Sequence, residues 1–469
     1  MRKLILVFCF FSCLTFGWSQ RQSKLKESFV DSASYVYFTQ GKHDVLVSLI
    51  DNAFTSGIDS YYLRVRLGVS YFTKNEFNLA ILHLRKALVF YPSDMYTKDF
   101  LFYAYLYTEN FEEAKILITK MPITYQASYQ KLIKRQNSVV FEYGYQTTSY
   151  SNKQDSSFFL AKDFSDTSLH GNGVYAESDR MKSLQYLQFG MGYPLSKRIK
   201  GYSGVSIVQN NRESHIYSKS TVWNFDTSKQ AWLNNSIIKD TSHEYTLAQY
   251  QVYTGLTIAL PKHITLLTGA QYMFYSQNKM YATYNSLSNN YQFKDSVSAK
   301  GNFVSNVSLT KSFLKLIPML SVGFNKIDGM NMSQIALQTS YLPFGNFNLS
   351  LTGGVSISSD NKESRNVLYL KVGGKINSKL WYDSYLYTGN LKYFTEGNGY
   401  VVYNVSDKIT LKSGVNLSYY FNQKWSIGVR YDVLKREASY LRYYTTSKYK
   451  SYTDNYLNHV LILNLLWKF

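Results

Sequence analysis

Apolar and polar residues alternate one by one along much of the carboxy-terminal two-thirds of this 469-residue chain. In the segment 346–358, one set of alternate positions holds large apolar residues: Phe347, Leu349, Leu351, Val355 and Ile357. The other set is mostly asparagine, serine and threonine. A period of two residues places the two sets on opposite faces of a β-strand. Similar alternation at 187–193, 249–260 and 410–421 predicts a series of strands with one apolar and one polar face.

The connections between these predicted strands alternate in length. Short turns are predicted near 194–198, 261–262, 314–315, 343–346, 376–379 and 422–424. The opposite set contains long loops at 150–180, 211–244, 277–299, 394–408 and 438–455, and two shorter ones near 328–331 and 359–365. Short turns at one end and long loops at the other are typical of an outer-membrane β-barrel. A closed barrel also satisfies every backbone hydrogen bond within lipid.

Fourteen strands can be counted between 138 and 469, an even number that returns the last strand to the end where the first begins. Counts of 12 or 16 stay open, because 380–408 does not divide clearly into faces and Val401–Val405 could add a strand. The predicted fold class is therefore α plus transmembrane β. A helical amino-terminal part precedes an antiparallel outer-membrane β-barrel of about 14 strands.

The last predicted strand ends on an aromatic carboxy-terminus. Its apolar face includes Leu465, Trp467 and Phe469. This ending resembles the signal by which outer-membrane barrels are recognised for assembly. We therefore expect outer-membrane lipid and the barrel-assembly machinery to be partners. The 45 tyrosines of the chain also suit the aromatic girdles of such barrels.

A leader is predicted at residues 1–19. Arg2 and Lys3 precede an apolar run over 4–16 that is too short to span a bilayer. Gly17 and Ser19 provide the small residues of a cleavage site. These features predict a signal peptide and therefore export from the cytoplasm.

Both cysteines, Cys9 and Cys13, fall within that leader, so the mature chain is expected to carry no thiol, disulfide or cysteine-based metal site. The formal charge is +20. Because the chain is exported, we assign this charge to contacts with lipid headgroups or anionic solutes, and we expect no nucleic-acid partner.

The hydrophobic period changes to that of helices between about 24 and 135, and the pattern there repeats every 34 residues. Repeats are predicted near 27–60, 61–94 and 95–122. The middle repeat matches the tetratricopeptide packing pattern at Leu67, Gly68, Tyr71, Ala80, Leu84, Ala87 and Pro92. It departs from that pattern at Arg64, where an aromatic residue is common. The predicted domains are thus a signal peptide at 1–19, a periplasmic helical domain at 20–137 and a barrel at 138–469.

The order of signal peptide, short tetratricopeptide array and barrel resembles the YaiO-type outer-membrane proteins and, more distantly, the outer-membrane exporters of bacterial exopolysaccharide. The resemblance covers the full chain, but it includes no catalytic or ligand motif. It implies an outer-membrane location and a role in envelope or polysaccharide biology. A periplasmic protein or a polysaccharide is the partner expected at the helical array, which otherwise serves as a spacer.

Six charged residues are predicted to line the barrel lumen, because they fall on the polar faces of their strands: Lys371, Lys375, Lys412, Arg430, Asp432 and Glu142. Two interpretations stay open. A basic wall would favour anionic solutes or polymers. Alternatively, the cations are paired with carboxylates and simply fill the interior.

Catalytic motifs are absent from the sequence, and we expect no enzyme, no cofactor and no metal site. His43 and His83 are predicted on helix surfaces, and His170, His215 and His243 in loops near carboxylates. A histidine–carboxylate pair above the lumen would argue for catalysis. The predicted function is a porin or exporter for polar solutes or polysaccharide, with a non-conducting anchor or docking protein as the alternative.

Overall fold

The computed structural model describes the chain in segments. These are 26–108, 110–133, 137–150, 174–196, 198–261, 264–285, 290–313, 315–360, 362–404, 407–443 and 449–469. The predicted signal peptide at 1–19 lies outside the described residues. Compact packing divides the chain into one unit that ends at Ala104 and a second that begins at Tyr105.

The amino-terminal part is a series of short α-helices. Its helices are α1 (Glu27–Thr39), α2 (His43–Thr55), α3 (Tyr61–Thr73), α4 (Phe77–Phe90), α5 (Met95–Tyr107), α6 (Phe111–Thr119) and α7 (Ile123–Leu132). Each of the three predicted repeats contains one pair of helices, which confirms the helical array. None of the helices in the described segments is both long and apolar enough to span a membrane.

Helices α3 and α4 pack at very close range. A Cβ atom added to Gly68 would stand 2.7 Å from both Cγ and Cδ2 of Leu84, so any larger residue would collide. The remaining residues of the repeat pattern within these helices are buried: Leu67, Tyr71, Ala80, Leu84 and Ala87. Pro92 is exposed just beyond the end of α4.

The surface position predicted for His83 is wrong. Its side chain is only 7% exposed and stacks on Tyr71, with ring centroids 5.5 Å apart. Arg64 Nη1 lies 3.0 Å from His83 Nδ1, and the Arg64 guanidinium covers the Phe54 ring at 3.7 Å. Asp59 neutralises Arg64 through an ion pair of 2.5 Å. Arg64 therefore occupies the usual aromatic position as a flat, paired group, and His83 is buried beneath it.

The remainder of the chain is dominated by β-strands. They are β1 (Ser138–Tyr150), β2 (Val174–Pro194), β3 (Ile199–Asp226), β4 (Ala231–Leu260), β5 (Ile264–Asn285), β6 (Asn290–Lys311), β7 (Leu316–Ile327), β8 (Met330–Tyr341), β9 (Leu349–Ser359), β10 (Ser364–Lys375), β11 (Leu380–Gly389), β12 (Thr395–Glu396), β13 (Val401–Val402), β14 (Lys408–Tyr420), β15 (Trp425–Tyr443) and β16 (Tyr449–Lys468).

Fourteen of these strands form a closed antiparallel barrel. Each pairs with its chain neighbours, β11 pairs with β14, and β1 closes the ring against β16 from Ser138↔Lys468 to Tyr150↔Tyr456. The predicted count of 14 is confirmed. The segment that could have added a strand, Val401–Val405, instead contributes β13 to a separate two-stranded sheet with β12.

Three of the predicted long loops are wrong, because strand pairing continues through them. The β3–β4 pair, for example, runs without interruption to Phe225↔Trp232 and Asp226↔Ala231, through the loop predicted at 211–244. Likewise, β5–β6 and β15–β16 extend through the loops predicted at 277–299 and 438–455. We call this end of the barrel the hairpin end and the opposite end, with the short connections, the turn end.

The outer face of the barrel is apolar. Leu461, Leu463, Leu465 and Trp467 expose their side chains on the outward face of β16, and Phe469 is exposed directly after the strand. At the turn end, Trp425 stacks on Trp467 with ring centroids 5.4 Å apart, and Trp467 contacts Phe469. An apolar outer face bounded by aromatic rings fits a ring of strands immersed in lipid.

Candidate functional site

The connection between β11 and β14 folds into the barrel. Its residues 390–404, which we call the plug, contact inward-facing side chains of strands β3 to β8. The loop predicted at 394–408 thus turns inward, a course that no feature of the sequence indicates. The interior of the barrel is therefore occupied by a segment that connects two adjacent strands of the wall.

The plug tip reaches far towards the turn end. Gly397, Asn398 and Gly399 have φ values of 61°, 56° and 83°, so the backbone makes a tight left-handed turn. Ser308 Oγ donates a hydrogen bond of 2.5 Å to Asn398 Oδ1. Because Ser308 lies three residues before β6 ends at Lys311, the tip lies near the turn end of the lumen.

Tyr400 continues the contact on β3 and β4, which lie two to three strands from β6 in the barrel order. Its hydroxyl shares a hydrogen bond of 3.1 Å with the hydroxyl of Tyr202 on β3. The Tyr400 ring also meets the rings of Tyr202 and Tyr253 edge-on, at centroid distances of 5.7 and 5.0 Å. The tip is thus held between β6 on one side and an aromatic cluster on β3 and β4 on the other.

The part of the plug that precedes the tip is held by hydrogen bonds to its backbone. Thr395 N donates to Gln334 Oε1 at 3.0 Å, and Gln334 Nε2 donates back to Thr395 O at 2.9 Å. A side-chain amide that pairs with both backbone groups of one residue imitates a neighbouring strand. Gln334 therefore satisfies polar groups that would otherwise be buried without partners.

Apolar contacts add to these hydrogen bonds. Leu391 and Phe394 are buried with inward-facing residues of β10, β11, β14 and β15: Val367, Tyr387, Ile409 and Leu434. Tyr393 packs on the other side against Met273, Val304, Ile327 and Met332. The lumen wall is therefore apolar where these plug side chains meet it, although it is polar elsewhere.

Glu396 is the ionic centre of the plug. Its carboxylate lies 3.1 Å from Lys412 Nζ and 3.8 Å from Lys371 Nζ. Tyr387 OH donates to Oε1 at 2.7 Å and Tyr403 OH to Oε2 at 3.0 Å. Both lysines are among the predicted lumen residues, whereas Glu396 is not, because it lies outside any alternating strand.

The other predicted lumen charges also point inward. Arg430 Nε lies 3.5 Å from Asp432 Oδ2, and Tyr385 OH donates to Asp432. Glu142 accepts a hydrogen bond from Tyr186. Lys375 is exposed at the turn end, with its ammonium 5.9 Å from the centre of the Trp381 ring. Most of the predicted cations thus face a carboxylate, an arrangement that favours a paired interior over an open basic wall.

The loop positions predicted for His215 and His243 are wrong, because both lie on the extended parts of β3 and β4. His215 is hydrogen-bonded to Asp240. Its side chain falls on the same face of β3 as the exposed Val205 and Ile207, so this pair points away from the lumen. His170 lies outside the described residues.

Comparisons with known proteins give no family assignment. No protein-family model matches the sequence, and no curated protein matches it. Among solved structures, the toluene transporter TodX of Pseudomonas putida is 9% identical, with a TM-score of 0.39, and the match covers 71% of this chain and 90% of that one. A FadL homologue of Pseudomonas aeruginosa is 8% identical, with a TM-score of 0.42 over 72% of this chain and 91% of that chain.

A partial match to MamA covers 23% of this chain and 59% of that one, at 20% identity and a TM-score of 0.20. All three TM-scores are low, so the class of this protein rests on its own geometry. The closed fourteen-stranded ring with its apolar outer face defines an outer-membrane-type β-barrel protein.

Proposed function

We propose that this protein is a gated outer-membrane channel for polar solutes and that the plug closes it in the state described here. The observation that carries the proposal is that a wall connection fills the lumen through contacts that can be broken without disrupting the barrel ladder. The hairpin end then faces the cell exterior, and the helical array lies in the periplasm, where it binds a partner protein or polysaccharide. Passage of a polysaccharide is a narrower form of the same proposal.

The plug has internal backbone bonds that support movement as a unit. Tyr393 N donates to Tyr403 O at 2.8 Å, and Tyr403 N donates to Phe394 O at 3.1 Å. The β12–β13 sheet joins its two arms. Because the plug hairpin pairs with itself, it can leave the lumen and keep most of these bonds, while β11 and β14 stay paired with each other.

Glu396 and its lysines provide the switchable contact. Breaking a buried ion pair on one side costs about 3–5 kcal/mol, because the remaining charge loses its partner. In an open lumen, water replaces that partner and reduces the cost. Entry of water and solute is therefore linked to the release of Glu396.

The test is conductance in planar lipid bilayers. We expect the wild-type chain to show low conductance with brief openings, and a variant with 391–404 replaced by a glycine–serine segment of equal length to conduct steadily. A matched control replaces the exposed turn 227–230 with the same residue types. If the plug variant is folded, as judged by protease resistance, and still does not conduct, the channel proposal is wrong.

A non-conducting anchor is the second candidate, and the filled lumen favours it. In that case the plug is a permanent core, its replacement destabilises the barrel, and no current appears in either protein. The same pair of measurements therefore separates the two functions.

A further inference from the structure

A second polar feature lies between the plug and the hairpin end. A cavity of about 280 Å³ is lined by inward-facing side chains of β2 to β5, by Asp328 and by Asn404 of the plug. Its volume lies near the lower end of the range for small-molecule sites. Because Asn404 Nδ2 donates to Gln249 Oε1 at 2.7 Å, one wall of this cavity depends on the position of the plug.

The charged groups that line the cavity are already engaged by other side chains of the protein. Asp179 accepts hydrogen bonds from Arg212 Nε at 2.8 Å, Lys279 Nζ at 2.8 Å and Tyr245 OH at 2.6 Å. Asp328 accepts hydrogen bonds from Tyr275 OH at 2.6 Å and from the plug residue Tyr393 at 3.2 Å. An ionic ligand would have to disrupt these pairs, which is costly in a partly buried site.

The cavity nevertheless retains one fully buried side-chain oxygen that has no hydrogen-bond partner among the described residues. Asn210 lines the cavity and is 4% exposed, and its Oδ1 accepts no hydrogen bond from any described residue. A buried acceptor of this kind calls for a hydrogen-bond donor. The rest of the wall combines the apolar side chains of Leu184, Val208 and Leu247 with tyrosine rings and amides.

We propose that this cavity binds a neutral, polyhydroxylated solute about the size of one sugar ring. A ligand hydroxyl donates to Asn210 Oδ1, and the C–H faces of the ligand pack on Leu184, Val208 and Leu247. Since each charged group of the wall already has side-chain partners within the protein, an ionic analogue of the same size would have to displace them, and the site discriminates against it. The role of this site in passage rests on the proposed channel function, but binding itself does not.

The site also connects the solute to the gate. Asn404 and Tyr393 belong to the plug, and both contact residues that line the cavity. A ligand that binds more tightly when these plug residues are displaced favours the open state, by the same factor as opening favours the ligand. The cavity is then the first binding step for a solute that enters from the hairpin end.

The test is isothermal titration calorimetry on the detergent-solubilised full-length chain, with glucose, glucuronate and glucosamine as probes at about pH 6. We expect glucose to bind and both charged analogues to bind at least about tenfold more weakly. Asn210→Leu, which removes the acceptor at similar volume, lowers glucose affinity by about five- to tenfold. Asn325→Leu is the matched control, since Asn325 is also a buried lumen residue without an Oδ1 partner among described residues but does not line the cavity.

A second variant covers the case in which Asn210→Leu fails to fold. Leu247→Trp keeps an apolar residue at its position, fills the cavity and abolishes glucose binding. The inference is overturned if glucose does not bind, if either charged analogue binds more tightly, or if a folded cavity variant binds like wild type. Glucose binding without any conductance would refute only the channel function, whereas conductance without binding would refute only this site.

Discussion

Gly269 on β5 leaves room for the main-chain carbonyl of Asn398 at the plug tip. A Cβ atom at position 269 would stand 2.1 Å from Asn398 O, a distance that no packed structure tolerates. The missing side chain therefore allows the two backbones to approach, as glycine often does at such contacts. The plug and the wall fit each other at this point, although the residues are separated by 129 positions in sequence.

Gly269→Ala should displace the plug tip. The added methyl group collides with backbone, which cannot move aside as a flexible side chain can. We expect more frequent or longer openings in single-channel recordings. Gly353→Ala is the control, because the nearest atom to its new Cβ is Leu370 Cδ2 at 3.6 Å. Equal conductance of the two variants would contradict the fit described for Gly269.

Glu396→Gln should loosen the plug and change ion selectivity. The substitution leaves Lys371 and Lys412 without their carboxylate, so we expect greater open probability and a shift towards anions. Reversal potentials in a salt gradient measure the selectivity. Glu363→Gln is the control, because it alters an exposed carboxylate that forms an ion pair with Arg365.

Adding Lys412→Met to Glu396→Gln tests the ion pair directly. The two residues are in contact, so their effects should not add, and the double variant should lie closer to wild type than the single glutamine variant. Strictly additive effects on plug opening would show that the contact between the two residues does not hold the plug.

His83 makes the α3–α4 pair sensitive to acid. Burial, assisted by the Arg64 cation, lowers the pKa of His83 from 6.5 to about 4. The unfolded state therefore binds a proton first, and stability that is fully present above pH 6.5 is lost as the pH falls towards 4. The full loss is about 3 kcal/mol.

Hydrogen exchange of the α3 and α4 amides in the full-length chain measures this effect, once intrinsic rates have been corrected for pH. We expect weaker protection at about pH 5 than at about pH 7. His83→Gln should remove the difference. An unchanged pH dependence in that variant would assign the effect to other groups.

Gly68→Ala should destabilise the same helix pair. The new methyl group meets Leu84 at 2.7 Å, and overpacking of this kind costs about 1–3 kcal/mol. Leu84→Ala in the same chain should recover part of the loss by removing the clashing atoms. Denaturant unfolding, followed by protection of the α3 and α4 amides, gives the free energies. Independent effects of the two substitutions would contradict direct contact.

The barrel could be predicted because the lipid-spanning strands have one apolar and one wet face. The strand extensions at the hairpin end could not be predicted in this way, because they lack that alternation. In the β3–β4 pair beyond about residue 211, polar residues such as His215 and Asp240 occupy the outward face, so alternation disappears while backbone pairing continues.

The inward course of the plug could not be predicted from its own residues. Its position depends on complementary groups on distant strands, including Gly269, Gln334 and Tyr202. The alternation along the strands predicts that the lysines face the lumen. Glu396 lies in a connection without such alternation, so the sequence does not predict where its side chain points. The sequence shows that Arg64 takes the place of an aromatic residue in the repeat. Only the packing of α3 against α4 shows that Arg64 and His83 are buried together.

The plug is joined covalently to the barrel at both ends, through β11 and β14. In the proposed channel, a plug attached at both ends cannot diffuse away, so closure after each opening is a first-order event whose rate is independent of protein concentration. Single molecules should therefore flicker between states indefinitely, and prolonged washing of the membrane should leave the pattern of currents unchanged.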